Sequence, residues 1–304
     1  MPHKRWHHRF RKNRSTVETE PIYVQHQSHN NTQAGSLGDV YTEAEKLLAQ
    51  YDIHKRRFRS GRHKHHEDLL VRAVQELQGV AASGGAVEKL AYLAIQTPRA
   101  VAAQRAMDKR SGGIHSHDPH LYDLIDFNDA YVSTVLELPQ EYLAGFPDQA
   151  KYLIDRFCKR VGSGCFSNDQ WDAITRGLAR EIAVYRAVLS FGYQVRMTSR
   201  REDAMGVDMR ITDPVTGISF GIDVKSASSF HFRLIDLERE GRIDQQQREV
   251  AELSGVLPIV NGHGEEATPT TLLRIDDATY GRIEAFSVTD TEVLRSVLTD
   301  LFIE

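Results

Sequence analysis

The feature that most restricts this chain is a pair of short alternating stretches joined by a turn. "VDMRI" (207–211) and "ISFGIDVKS" (218–226) flank "DPVTG" (213–217). Ile218, Phe220, Ile222 and Val224 alternate with small or polar residues, the period of a pleated strand with one apolar face. Pro214 and Gly217 reverse the chain. Centring the reversal between Val215 and Thr216 sets Met209 against Ile222, Ile211 against Phe220, and Asp208 directly against Asp223. The apolar residues of both strands then share one face, while Asp208, Asp223 and Lys225 share the other. A slip of one residue would send one apolar set to the wrong side.

Directly opposed residues have Cβ atoms about 4.5–5.5 Å apart, and like charges placed there destabilise the pair. A hard divalent cation offsets that repulsion, since Mg²⁺ takes one or two carboxylates together with waters and phosphate oxygens. The pattern therefore predicts Asp208 and Asp223 as ligands of Mg²⁺ or Mn²⁺, with Lys225 beside the reacting group. The competing structural reading is an ion pair of Asp223 with Lys225 or Arg210.

A helix precedes this unit. Asn168 or Asp169 is placed to cap it, it runs to about Ser190, and Gly192 follows as a stop signal. Ile174, Leu178, Ile182, Tyr185 and Leu189 mark its buried stripe, and Glu181 lies on or beside it. A carboxylate facing a core is costly unless it is paired or ligates a metal. Arg180 and Arg186 are the alternative partners. Strands are expected at "YQVRMTS" (193–199), "VLPIVNG" (256–262) and "TLLRID" (271–276), a helix at 243–255 and a last helix near 289–302. The order is α-β-β-β-α-β with appendages.

The string "GLAREIAVYRAVLSFGYQV…GVDMRI…GIDVKS" resembles the PD-(D/E)xK nuclease superfamily. That resemblance implies an α/β, restriction-endonuclease-like fold. It also implies metal-dependent hydrolysis of phosphodiester bonds, of DNA in the first instance and endonucleolytic. By the resemblance, Asp208 matches the first acid, Asp223 and Lys225 the D-x-K, and Glu181 the acid of the first helix. All four are catalytic candidates, and Glu181, Asp208 and Asp223 are metal candidates. "SRREDAMGVD" is similar to the loop before the first acid, so Glu202 and Asp203 are candidate assistants. Gly206-Val207-Asp208 stands where the family has Pro-Asp. Gln245, Gln246 and Gln247 lie where some members carry Gln-x-x-x-Tyr, but no Tyr follows. The likeness covers about residues 170–262. Two other readings are a nucleic-acid-binding protein on a non-cutting nuclease fold, and a helical interaction protein centred on residues 67–160.

A length of 304 residues suggests about two domains. We divide the chain into a basic, His-rich, largely unstructured segment (1–66), a helical domain (67–160) and the nuclease-like domain (161–304). Helical stripes run through 67–108, with breaks expected at "ASGGA" (82–86) and Pro98, and continue near 121–137 and 139–160. "DVYTEAEKLLAQY" (39–51) is a candidate short helix, and residues 1–40 otherwise read as disordered. Segments 1–14 and 54–66 each carry six Lys/Arg and no acid, within a net charge of −4. Trp6, Phe10 and Phe58 interleave them, so they read either as solvated tail or as phosphate-binding arms. His115, His117, Asp118 and His120 match no named zinc spacing and read as a polar loop. No apolar run approaches the roughly 20 residues needed to span a bilayer. Cys158 and Cys165 are too few for a disulfide framework or a zinc site. They read as reduced thiols of a cytoplasmic protein. Self-association as a homodimer is left open.

Overall fold

The computed structural model describes residues 36–51, 63–108, 119–262 and 267–303. The segment 1–14, residues 54–62 of the second basic block, and His115, His117 and Asp118 lie outside them. Among the described residues the chain is mixed α/β and mostly helical, with a five-stranded mixed sheet and a separate two-stranded hairpin. No helix among them is long and apolar enough to cross a membrane.

The first half is a helical assembly of α1 (Leu37–Gln50), α2 (His63–Ser83), α3 (Ala86–Asp108), α4 (Pro119–Glu137) and α5 (Phe146–Val161). Helix α3 is the axle. Lys89 through Thr97 are all buried, because α1, α2, α4 and α5 pack around it. The one cation in that run, Lys89, is paired with Glu137. Pro98 does not break α3, contrary to the expectation from its sequence. It forfeits the bond to the Ala94 carbonyl, but residues on both sides of it are buried and the packing outweighs the local cost. The Thr97 hydroxyl donates to the Leu93 carbonyl at 2.9 Å in the same turn. Residues 36–40 are likewise not structureless. Ser36 caps α1, and Leu37, Val40, Ala44 and Leu48 bury its apolar stripe.

The second half begins with α6 (Asn168–Ser190), capped not by Asn168 or Asp169 but by Ser167 in a capping box with Gln170. There follow β1 (Gln194–Met197), α7 (Arg200–Ala204), β2 (Met209–Thr212), β3 (Ser219–Lys225), α8 (Ala227–Arg239), α9 (Gln245–Ser254), β4 (Val256–Asn261) and β5 (Thr268–Arg274). The chain ends in α10 (Asp277–Tyr280), the hairpin β6 (Ile283–Glu284) and β7 (Ser287–Val288), and α11 (Thr291–Ile303). The sheet order is β1-β2-β3-β5-β4. Met209 faces Ile222 and Ile211 faces Phe220 across the β2–β3 hairpin, as the turn count predicts. Asp213 fixes that turn by accepting from the Val215 N–H and the Thr216 hydroxyl.

Two expectations about the sheet need correction. Helix α8 was not anticipated, although Phe230, Leu234 and Leu237 form its buried stripe. The strand beside β3 is β5, paired in parallel, while the 256–262 segment forms the outer strand β4. A parallel neighbour needs a long crossover, and α8 with α9 supplies it. Two residues also leave their expected faces. Ile218 is 49% exposed at the entry to β3, and Leu189 is 36% exposed while Val188 is buried.

Helices α6 and α11 cover one face of the sheet through Val184, Val188, Leu294 and Leu298. Helix α8 covers the other through Phe230, Leu234 and Leu237 against Leu257 and Leu272. The helical half is continuous with this second unit. Its core takes in Trp171, Leu178 and Ile182 of α6, and Phe286 from the β6–β7 turn packs on Tyr131 and Phe146. Packing thus runs across the 160/161 boundary.

Candidate functional site

Strand β3 delivers Asp223 and Lys225 on the face that α8 covers, since Asp223 aligns with Leu272 of β5. Asp223 is 2% exposed, and its Oδ1 accepts from the Lys225 ammonium. The Asp223–Lys225 ion pair is therefore present, and Arg210 bonds elsewhere, to Glu202 and Thr268.

Asp208 is not directly opposite Asp223 in the ladder, which ends at Met209–Ile222. Its N–H instead donates to the Ile222 carbonyl at 2.8 Å. Its Oδ2 accepts from the Val224 N–H at 2.7 Å, so the carboxylate occupies the opening where β2 and β3 part. The turn before it is held closely. Gly206 has φ of +84°, and a Cβ there would stand 3.5 Å from Asp223 Oδ2 and 3.4 Å from Asn261 Nδ2. Only glycine takes that conformation without strain. Asn261 Nδ2 donates to the Gly206 carbonyl at 2.8 Å, which ties the turn to the end of β4.

The two acids of "SRRED" part ways. Glu202 closes the capping box of α7 with Ser199 and bonds Arg210 Nε at 2.5 Å. Burial alone would raise its carboxyl, but the Ser199 N–H, Arg210, the Ser199 hydroxyl and Arg196 outweigh that and hold it at about 2. Glu202 is a structural residue. Asp203 faces the site instead. Burial first, then Asp129 and Asp208, push its carboxyl well above the usual range, with Lys225 opposing.

Glu181 joins them from α6. Arg180 donates to the Ile275 and Arg176 carbonyls and Arg186 to Gln140, so neither arginine is spent on it. Burial, then Asp208, Asp203 and Asp129, raise its carboxyl strongly, against Lys225. Asp208 is pushed up to about 6, by burial and by Asp223, with Lys225 and the Val224 N–H pulling down. Burial would lower the Lys225 ammonium, yet Asp223, Asp208 and Asp203 outweigh it and raise Lys225 above its ordinary value. Lys225 is the resident counter-charge of the cluster.

Sequence reasoning missed Asp129, which α4 brings against Glu181 and Asp203. The available signal was the spacing of Asp123, Asp126 and Asp129, which stacks three acids on one helical face. Burial and then Asp126 push Asp129 up to about 7, with Arg200 opposing. Gln245, Gln246 and Gln247 serve α9 itself. Gln247 closes its capping box with Asp244, and Gln245 bonds Glu249.

The donor set is all oxygen, which suits hard cations and not thiophilic ones. Among the described residues no three ligating groups converge tightly enough to cage a metal ion by themselves. An ion that takes one or two carboxylates and completes its shell with water and substrate, as Mg²⁺ does, is one that Asp208 and Asp223 could hold.

The raised carboxyls make a pH prediction. A carboxyl whose folded pKa lies above its unfolded value stabilises the fold fully below the unfolded pKa and loses that contribution as pH rises through the folded one. For Asp126, pushed up to about 6 mainly by burial, and Asp129 at about 7, the loss runs from about pH 4 to about pH 7. One pKa unit is worth about 1.4 kcal/mol, so the summed change is on the order of a few kcal/mol. Melting of the chelator-treated protein is expected at lower temperature at pH 7.5 than at pH 5, and Asp129→Asn should flatten the profile. A Tm that rises over this window contradicts the cluster.

No family model, curated protein or solved structure matches the chain.

Proposed function

We propose that the chain is a divalent-metal-dependent nuclease that hydrolyses phosphodiester bonds of DNA, as an endonuclease. The observation that carries the reading is the meeting of Asp208, Asp223, Lys225 and Glu181 around one opening of the sheet, from three separate elements. Those are the four positions matched to the PD-(D/E)xK motif. A bound Mg²⁺ or Mn²⁺ would supply an activated water and neutralise charge on the phosphate. Asp208, pinned by the Val224 N–H, and Asp223, buried beside it, would hold that ion. Lys225 places positive charge where negative charge develops during attack on phosphorus. Glu181 and Asp203, which share the charge environment of Asp208 and Lys225, would orient water there.

A second reading is a nucleic-acid-binding protein whose fold does not cut. It is favoured by the Lys225 ammonium, which sits on Asp223 where a divalent cation would bind. One experiment separates the two. The full chain is incubated with supercoiled plasmid, linear duplex and single-stranded DNA, in Mg²⁺, in Mn²⁺ and in excess chelator. Nicking or linearisation of plasmid with metal, and none in chelator, is the expected result. DNA retention without cleavage in either metal overturns the nuclease reading.

A further inference from the structure

We infer that Asp126 and Arg200 form a positioning pair through which the helical half sets the geometry of the site. This rests on the proposed nuclease reading for its effect on rate, and on the geometry alone for its effect on α7.

Helix α7 has only five residues, too few to hold a helix in place by its own bonds. Its N-terminus is closed by the Ser199 box, and the chain after it returns through Gly206 to Asp208. The Gly206 N–H bonds the Asp203 carbonyl at 2.8 Å and the Val207 N–H bonds the Glu202 carbonyl at 3.0 Å. The turn that leads into Asp208 is thus built directly on α7. Wherever α7 goes, Asp203 and the approach to Asp208 follow.

Arg200 ties α7 to α4. Its Nε stands 2.7 Å from Asp126 Oδ1, and its guanidinium lies 4.8 Å over the Tyr122 ring. Gln96 of α3, fully buried, donates to Asp126 Oδ2 at 3.3 Å and braces the acid from behind. Asp203 is three residues beyond Arg200 and so leaves α7 on the same side, towards α4. There it meets Asp129, one turn beyond Asp126 on α4. Two carboxylates face each other across this seam, and Arg200 is the cation beside them. Without Arg200 the seam loses its tether.

Arg200 is 40% exposed although Asp126 is only 12% exposed, so truncating the arginine removes a solvent-screened partner, while Asp126→Asn keeps the shape and the Gln96 bond of the buried acid. Substitutions there leave the fold intact, which makes the pair testable. Arg200→Ala, Asp126→Asn, the double variant and Arg200→Lys are compared by plasmid cleavage and by hydrogen exchange of the metal-free protein. We expect each of the first two to lower kcat by about 10- to 100-fold with KM little changed, because a misplacement of about 1 Å costs that much. The double variant should be no worse than the poorer single one, since a pair acts as a unit. Arg200→Lys should recover part of the rate. Amides of residues 203–208 should exchange faster in both single variants, and those of β5 should not. Additive losses, or unchanged exchange at 203–208, overturn the inference. Should wild type cut nothing while the exchange coupling holds, the pair stands as a positioning pair and the nuclease reading falls.

Discussion

Cleavage by Asp223→Asn is expected to fall by about 10³-fold or more while the protein stays folded. Asparagine is nearly isosteric with aspartate, so the packing around this 2%-exposed side chain survives. The charge does not. One consequence is the loss of one of the two anionic ligands assigned to Mg²⁺. The other is the loss of the partner that holds Lys225 Nζ beside the opening. Removing a single stabilising group from a reacting centre costs about 10²–10³-fold, and this substitution disables two at once. The measurement is the initial rate of plasmid nicking against Mg²⁺ concentration, with Asp213→Asn as the control. Asp213 lies on the same β2–β3 unit but serves the hairpin turn, far along the strand from the opening. Equal rates for wild type and Asp223→Asn at low Mg²⁺ would remove this residue from the chemistry.

The hairpin that carries Asp223 was legible because local rules agree there. Met209, Ile211, Phe220 and Ile222 alternate strictly, and a Pro214–Gly217 loop centred between Val215 and Thr216 gives the register by counting. Counting failed one residue beyond the ladder. It assumes that regular pairing continues to Asp208, whereas the Asp208 N–H turns to the Ile222 carbonyl and its carboxylate caps the Val224 N–H. Strand neighbours were also out of reach. β4 and β5 are both short apolar runs, and nothing local states which of them lies parallel to β3. That choice is made when α8 and α9 pack across the sheet. Helix α8 itself was hidden by its serine-rich start and by the "FHF" string, which does not announce the stripe of Phe230, Leu234 and Leu237.

The acids of the site divide in the same way. Asp208, Asp223 and Lys225 lie within one hairpin, and Glu181 sits on a helix with a readable stripe. Asp129 belongs to the site only because α4 packs against α6 and α7. Its partners are more than fifty residues away in sequence, where no spacing rule applies. Glu202 and Asp203 are adjacent and chemically alike, yet one closes a capping box and the other faces the cluster. The capping-box pattern Ser199-x-x-Glu202 was present in the sequence and separates them on its own.

Lys225→Ala should give two effects of opposite sign. In the metal-free protein the Lys225 ammonium sits on Asp223 and faces Asp208 and Asp203, the position a divalent cation would claim. Any incoming ion must displace it or share its ligands. Removing the amine therefore removes a competitor, and Mn²⁺ affinity, read by calorimetry, is expected to rise by about tenfold. Catalysis should move the other way. If the ammonium acts on charge that develops in the transition state, kcat falls by about 10²–10³-fold while DNA affinity measured in Ca²⁺ changes little. Lys225→Arg should not restore the rate. Its guanidinium is planar and broader and spreads its charge over three nitrogens, so it does not put the same compact positive charge at the same point. The combination is the diagnostic. A structural lysine would weaken folding and leave metal affinity unimproved. An ordinary phosphate contact would weaken DNA binding and leave kcat intact. If Lys225→Ala cuts at the wild-type rate and binds DNA poorly, the match of Asp223-x-Lys225 to a nuclease motif loses its strongest support.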